Sequence, residues 1–282
     1  MSEDRSEIGM LPLQSECTSS SSQPKFGRDG KRLDELRRTI ARMQAPAVAL
    51  DAPGDIPLGV AEVDRALGGG LARGMLHEIA ACGETHIAAA TGFALGLAAQ
   101  SQAIVWVAED MALLESGAPY GAGLDLFGLA PERLLTVAGS KAGDVLWAME
   151  EALRCRAVGA VIGEVRSPSH VIDLVATRRL SLAAAAHGAT ALLLRTAPGT
   201  EASAAATRWI VEAASPPHSA FGRSASGIGP PRFALALTRN RRGPHGTWML
   251  EWSVSDVSFV LATYPEPLAG TAVDRPHRAR AA

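Results

Sequence analysis

"LGGGLARGMLHEIAACGETHIAAATGFALGLAAQ", Leu67 to Gln100, is the stretch on which the fold turns. It reads as a glycine-rich turn, a short strand over Met75 to Ala81, a tight connection at Cys82 to Thr85, and a helix that runs on to Gln100. A strand, a tight loop and a helix in that order is the layout of a nucleoside triphosphate site. There the loop's backbone N–H groups wrap the phosphates and a Lys reaches the terminal ones. The loop here reads "ACGETHIAAA" and carries no Lys.

Outward from this stretch, strand and helix patterns alternate. "AIVWVAED", Ala103 to Asp110, is a continuous apolar run closed by two acids, as expected of a buried strand. "KAGDVLWAMEEALRCRA" predicts a helix with Asp144 as its N-cap and Val145, Met149 and Leu153 on one face. "AVGAVIGEV", Ala157 to Val165, is a second buried strand, "SPSHVIDLVATRRLSLAAAAHG" a helix ended by Gly188, and "TALLLRT" another strand. After Thr196, "TRWIVEAA", "RFALALTRN" and "TWMLEWS" read as strands with no helix between them, the last two joined through "RRGPHG" as a hairpin. The expectation is an α/β fold: a mostly parallel sheet with helices on both faces and an antiparallel C-terminal extension, working at the carboxyl ends of its strands.

The 282 residues suffice for one α/β domain of ordinary to large size with flexible ends. Residues 1–30 are Ser-rich and poor in large apolar side chains, as in a disordered segment. Residues 31–46 hold an amphipathic helix and linker, with Leu33, Leu36, Ile40 and Met43 at helical spacing and arginines opposite. Two readings of that helix stand level: packed on its own domain, or a docking arm for a neighbour. The core domain is expected over 47–265, and a flexible basic tail over 266–282. A net charge of −2 offers no bulk attraction to nucleic acid or membrane. The three cysteines, Cys17, Cys82 and Cys155, form no C-x-x-C pair, which points to a reducing compartment and away from structural zinc. The N-terminus has acids where a secretory signal needs positive charge, and no segment is a membrane span, so a soluble cytoplasmic protein is expected.

A phosphate loop of the Walker type needs glycines for its turn, a Lys for the β/γ-phosphates and a Ser or Thr hydroxyl for Mg²⁺. The chain has three lysines, Lys25, Lys31 and Lys141; none precedes Ser or Thr, and none reads as opening a helix after a strand. Glu84 would set a like charge beside bound phosphate. ATP turnover at this loop is therefore not expected; the alternative is that Gly83, Thr85 and His86 hold some smaller anion. Glu164, Glu109 and Asp110 stand at strand ends, where a water-activating carboxylate would sit but where solvated caps are also common. The histidines are scattered, no G-x-S-x-G elbow appears, and "GGGL" precedes its strand rather than following one, unlike a dinucleotide fingerprint. No catalytic, cofactor or metal residue is expected.

"PLGVAEVDRALGGGLARGMLHEIAA" resembles the lead-in to the core of RecA-type recombinases, on Gly59, Asp64, Leu67, Gly68, Gly69, Gly70, Leu71, Gly74 and Glu78, and the likeness runs from Pro57 to Leu194. The chain departs where recombinase chemistry sits. Ile87 stands where the Lys would be, Glu109 stands near the water-activating acid, and the segments that line the DNA path look shortened after Val165 and after Thr196. A RecA-like core that lacks the Walker loop and closes with "TRNRRGPHGTWMLEW", Thr238 to Trp252, resembles the bacterial ImuA family. That resemblance implies an SOS-induced role in damage-induced mutagenesis, without catalysis, alongside ImuB, a Y-family polymerase-like protein, and a DnaE-type error-prone polymerase. RecA, DNA or a second copy of the chain are further partners it brings in. Leu36 and Ile40 on the helix and Arg239, Asn240, Arg241 and Arg242 at the hairpin are the expected contact residues, with Arg223, Arg232, Arg278 and Arg280 extending a basic surface. Contact with DNA would be weak and salt-sensitive on so neutral a chain. Trp248 and Trp252, four apart on one strand, share a face and are expected in the core. Two alternatives stand beside the adaptor: a degenerate RecA-like ATPase, and a cell-division inhibitor like SulA, a distant relative.

Overall fold

A computed structural model describes residues 54–166, 170–215 and 229–262. The N-terminal segment, the amphipathic helix with Leu36 and Ile40, Arg223 and the basic tail with Arg278 and Arg280 lie outside them.

Short α1 (Ala61–Leu67) leads through the glycine turn into β1 (Leu76–Ala81), whose six residues are all buried. After one 3₁₀ turn at Glu84–His86 come α2 (Ile87–Ala98) and β2 (Ile104–Glu109), and then two short helices, α3 (Asp110–Ser116) and α4 (Gly121–Leu126). Next are β3 (Leu134–Gly139), α5 (Ala142–Leu153), β4 (Ala160–Val165), α6 (Leu174–His187) and β5 (Thr190–Arg195). β6 (Thr207–Ala213), β7 (Arg232–Asn240), β8 (Gly246–Ser253) and β9 (Ser258–Leu261) complete a nine-stranded sheet in the order β3-β2-β4-β5-β1-β6-β7-β8-β9. The continuous apolar runs of β1, β2, β4 and β5 are central parallel strands, covered on both faces.

Several sequence expectations are corrected. β6 pairs parallel with β1, so the antiparallel extension begins one strand later, at β7. β3 and β9 were not read as strands: β3 is an edge strand whose Leu135, Thr136 and Ala138 are exposed, and β9 has only four residues. Lys141, not Asp144, is the N-cap of α5, and it does follow a strand and open a helix. That strand is β3, at the far edge of the sheet from β1. Helix α6 starts at Leu174 rather than near Ser167, because Asp173 accepts the amide of Ala176 at 2.8 Å and caps it there.

Two apolar layers flank the sheet. On one face α2 packs across β1 and β5–β9 through an aromatic cluster: Phe93 lies 5.4 Å from Trp209, 6.2 Å from Phe233 and 5.3 Å from Phe259, centroid to centroid. Trp252 is buried and Trp248 half-buried against the same layer, as their shared parity requires. On the other face α5 and α6 cover Leu76, Val105, Val107, Val161, Ala191 and Leu193, so among the described residues this second apolar layer reaches from β2 to β1. Among the described residues no helix is long and apolar enough to cross a membrane.

Helix α2 comes this close because Gly96 has no side chain: a Cβ there would lie 2.5 Å from Phe259 Cζ and 3.0 Å from Trp252. Gly96→Ala is expected to lose about 1–3 kcal/mol by overpacking, measured as a lower urea midpoint with the slope unchanged.

Candidate functional site

The β1–α2 connection is short and engaged with its own chain. Cys82 donates its amide to Val211 on β6 at 3.0 Å, continuing the ladder past the strand end. His86 N–H turns back to Gly83 O at 3.0 Å, and His86 Nδ1 accepts the amide of Ala213 at 3.0 Å. Two residues, Cys82 and Gly83, separate β1 from the 3₁₀ turn. A phosphate cradle needs a run of unengaged N–H groups from a longer loop. Here the Cys82 and His86 amides have partners, and the His86 ring presents an acceptor to β6 rather than a donor to an anion.

At the carboxyl ends of β2 and β4 the two acids are buried and matched by one arginine. Glu109 is 4% exposed and its Oε2 accepts the backbone amide of Arg166 at 2.8 Å. Glu164 receives Trp106 Nε1–H at 3.2 Å on one oxygen and Arg166 Nε at 2.8 Å on the other. Arg166 Nη1 continues to Ser116 Oγ at 2.6 Å, and its carbonyl accepts Thr196 Oγ1–H at 3.0 Å. Arg166 thus laces β2, β4, β5 and α3 together.

A second hub joins β1 to β6. Glu78 on β1, 1% exposed, pairs with Arg208 Nε on β6 at 2.6 Å and accepts the Ser203 hydroxyl. Arg208 Nη1 and Nη2 donate to the carbonyls of Gly199 at 2.9 Å and Glu201 at 3.1 Å, and Arg195 pairs with the Glu201 carboxylate. Burial would raise the Glu201 pKa, but its own backbone amide and the Arg195 guanidinium outweigh it and hold the carboxyl below its ordinary value. The β5–β6 connection is thereby pinned by two guanidinium groups. Sequence reasoning singled out neither Arg166 nor Arg208; the available signal was an Arg next to a strand end in reach of a buried strand acid.

The hairpin residues meet the glycine turn. Asp64 accepts the amides of Leu58 at 2.8 Å and Gly59 at 3.3 Å, while Gly68, Gly69 and Gly70 take φ of 80°, 123° and 136°. At Gly70 a Cβ would lie 2.5 Å from Ile56 O, so the turn requires glycine sterically as well as conformationally. Asn240 Nδ2 donates to Ala66 O at 2.8 Å and to Pro244 O at 3.0 Å, and its Oδ1 accepts Arg242 N–H at 3.0 Å. The Arg242 fork holds Asp55 at 2.9 and 2.5 Å and reaches Gly68 O at 3.2 Å. Arg241 N–H bonds Ala206 O at 3.0 Å; burial and then the nearby Arg239 charge lower its pKa. The two motifs that carry the family resemblance are therefore each other's partners. Arg239 is half-buried opposite Arg208 in the β6–β7 register. Arg232 does not extend a basic surface as expected: it is buried and pairs with Glu251 on β8 at 2.6 Å, which uses its charge within the sheet.

Beneath this turn, Trp209 Nε1–H donates to Thr207 Oγ1 at 2.9 Å, and Thr207 and His77 Nδ1 are 2.8 Å apart. His77 Nε2 faces Ala72 O at 2.9 Å; a carbonyl only accepts, so Nε2 carries the proton and Nδ1 accepts from Thr207. The neutral ring is fully satisfied. Burial first, and the Arg242 charge after it, outweigh the Ala72 hydrogen bond and lower the His77 pKa to about 4. Among the described residues no group of three or more His, Cys, Asp or Glu is placed to hold a metal ion.

No protein-family model matches the chain. It is 33% identical over 203 residues to Protein ImuA of Caulobacter vibrioides, in strain NA1000 / CB15N and equally in strain ATCC 19089, covering 65% of this chain and 77% of the relative. The crystal structure of the RadB recombinase matches with a TM-score of 0.50 at 15% identity, over 71% of this chain and 96% of that one. The sheet is of the RecA-like kind.

Arg208→Met leaves Glu78 buried without its counter-ion and is expected to cost about 3–5 kcal/mol, read from chemical denaturation at neutral pH. His77 makes stability fall in acid. Between the ordinary value of 6.5 and about 4 the unfolded chain holds a proton that the folded ring refuses, so stability drops as pH descends through that window. The full effect is about 3 kcal/mol. His77→Gln, though less stable at pH 7, is expected to show a shallower decline from pH 7 to pH 4 in urea midpoints.

Proposed function

The chain belongs to the ImuA family, and from that premise we propose that it serves SOS-induced translesion synthesis as a non-catalytic RecA-like adaptor in the cytoplasm. Its partners in this reading are an ImuB-like Y-family protein and a DnaE-type error-prone polymerase, with RecA or DNA as further contacts. One observation carries the absence of catalysis. The carboxylate in the place of a water-activating acid, Glu109, is buried and accepts the Arg166 backbone amide. An acid so engaged serves as a structural acceptor, not as a base facing substrate. The amides at the first core loop support the same reading, since Cys82 and His86 use theirs within the chain. A RecA-like sheet without phosphate chemistry keeps what the fold also provides: a rigid platform for other macromolecules.

Glu109→Gln keeps an oxygen acceptor for the Arg166 amide while abolishing any base. In a strain deleted for the gene, the variant is expected to restore damage-induced mutation frequency to the wild-type level. A loss comparable to the deletion, with normal protein abundance, would mean that the acid does chemistry. Calorimetry with Mg-ATP is expected to give no binding heat; micromolar binding overturns the reading.

A further inference from the structure

The register between β6 and β7 shifts at Arg208. Leu237 stands opposite Trp209 and Arg239 opposite Arg208, so Thr238 is an extra residue, a bulge in β7. Its hydroxyl donates to Arg208 O at 3.2 Å. Leu237 is buried in the aromatic layer. By strict alternation Arg239 would return to that layer; the bulge instead turns it to the other face, beside Arg208. Like charges directly opposite on paired strands are destabilising. A bulge that creates such a pair lowers the stability of the free protein, and bulges of this kind re-aim side chains where a binding site needs them.

Arg208 has its carboxylate in Glu78, and its remaining N–H groups go to Gly199 O and Glu201 O. Arg195, at the end of β5, pairs with Glu201. Arg239 is half-buried, and among the described residues its guanidinium has no hydrogen bond and no ion pair. Arg241 is exposed and reaches Ser203 O at 3.4 Å, longer than an ordinary N–H···O bond. The Ser203 hydroxyl meets Glu78, so Arg241 closes on the same cluster. Arg239 is near enough for its charge to lower the Arg241 pKa, second to burial. Arg195 and Arg208 thus use the two carboxylates of the cluster, and Arg239 and Arg241 are left adjacent without one.

We infer that Arg239 and Arg241 form a binding site for a carboxylate side chain, presented by an acidic segment of a partner protein. A carboxylate is what the other guanidinium groups of this region hold: Glu78 on Arg208, Glu201 on Arg195 and Asp55 on Arg242. The planar fork matches its two oxygens. A nucleic-acid strand is a poorer match, because it brings a continuous row of phosphates while Glu78 and Glu201 stand within the cluster and the chain carries a net charge of −2. In the adaptor reading, on which this assignment rests for its partner, the hairpin divides its work. Asn240 and Arg242 clamp it to the glycine turn, and Arg239 and Arg241 recognise the partner.

Fluorescence anisotropy of a labelled oligo-glutamate peptide, titrated with the full chain, reads the site. The peptide is expected to bind, and Arg239→Gln and Arg241→Gln are each expected to weaken it about tenfold. Arg156→Gln, which removes an exposed arginine from the α5–β4 connection, is expected to leave the affinity unchanged. Because repulsion from Arg208 is relieved, Arg239→Gln is expected to unfold at no lower urea concentration than the parent; a lower midpoint makes the side chain a structural one and overturns the inference. It is equally overturned by a peptide that does not bind, by an affinity that Arg239→Gln leaves unchanged, or by an equal loss in Arg156→Gln. A single-stranded oligonucleotide whose binding falls more steeply than the peptide's in Arg239→Gln also overturns it, in favour of phosphate. None of these readouts involves ATP or Glu109, so the site and the adaptor reading fail separately.

Discussion

A carboxylate buried within a parallel sheet has to be matched by donors, and that requirement organises the connections that follow β4 and β5. Glu78, Glu109 and Glu164 are all nearly inaccessible, and two arginines answer them: Arg166 through its amide and guanidinium, Arg208 through its fork. Because each arginine also binds carbonyls or hydroxyls on the following connection, the charges do more than neutralise one another. They fix the paths of the chain after β4 and after β5. In a fold of this kind ligands bind in the crevice outside the strand ends. Here that edge is occupied by the protein's own side chains.

The opposite end of the sheet is organised by glycine and arginine. The triple-glycine turn after α1 places Ala66 O and Gly68 O where Asn240 and Arg242 reach them, and Asp55 completes the contact. This joins the N-terminal lead-in to the β7–β8 hairpin across roughly the whole described length. A basic hairpin thus acts as an internal clamp, with Arg242 bidentate on a carboxylate as its fork geometry favours. His77 lies in the same region, neutral because burial disfavours its charged form, with the nearby guanidinium adding to that, while its two nitrogens have complementary partners.

Legibility followed burial. Central strands such as "AIVWVAE" and "TALLLR" stood out because a strand covered on both faces must be apolar throughout. β3 did not, since at the edge its Leu135, Thr136 and Ala138 are exposed and the pattern breaks, and β9 was too short to show a period. The direction of β6 was hidden for another reason: "TRWIVEA" reads alike in a parallel or antiparallel ladder, and the pairing with β1 rather than with β7 alone decides it. Arg166 and Arg208 were missed because an Arg beside a strand end looks like any solvated turn residue until the buried acid across from it is located.

The sequence by itself determined the α/β class, the absence of a Lys at the first core loop, the glycine turn and the face shared by Trp248 and Trp252, because periodicity, residue type and glycine's backbone freedom are local properties. Only the tertiary structure decided what the charged residues do. Whether Glu109 faces solvent or an amide, and whether Arg242 faces a partner or Asp55, depends on groups 57 and 187 residues away in the chain. Electrostatic partners are set by distance in space, and no period in the sequence encodes that distance.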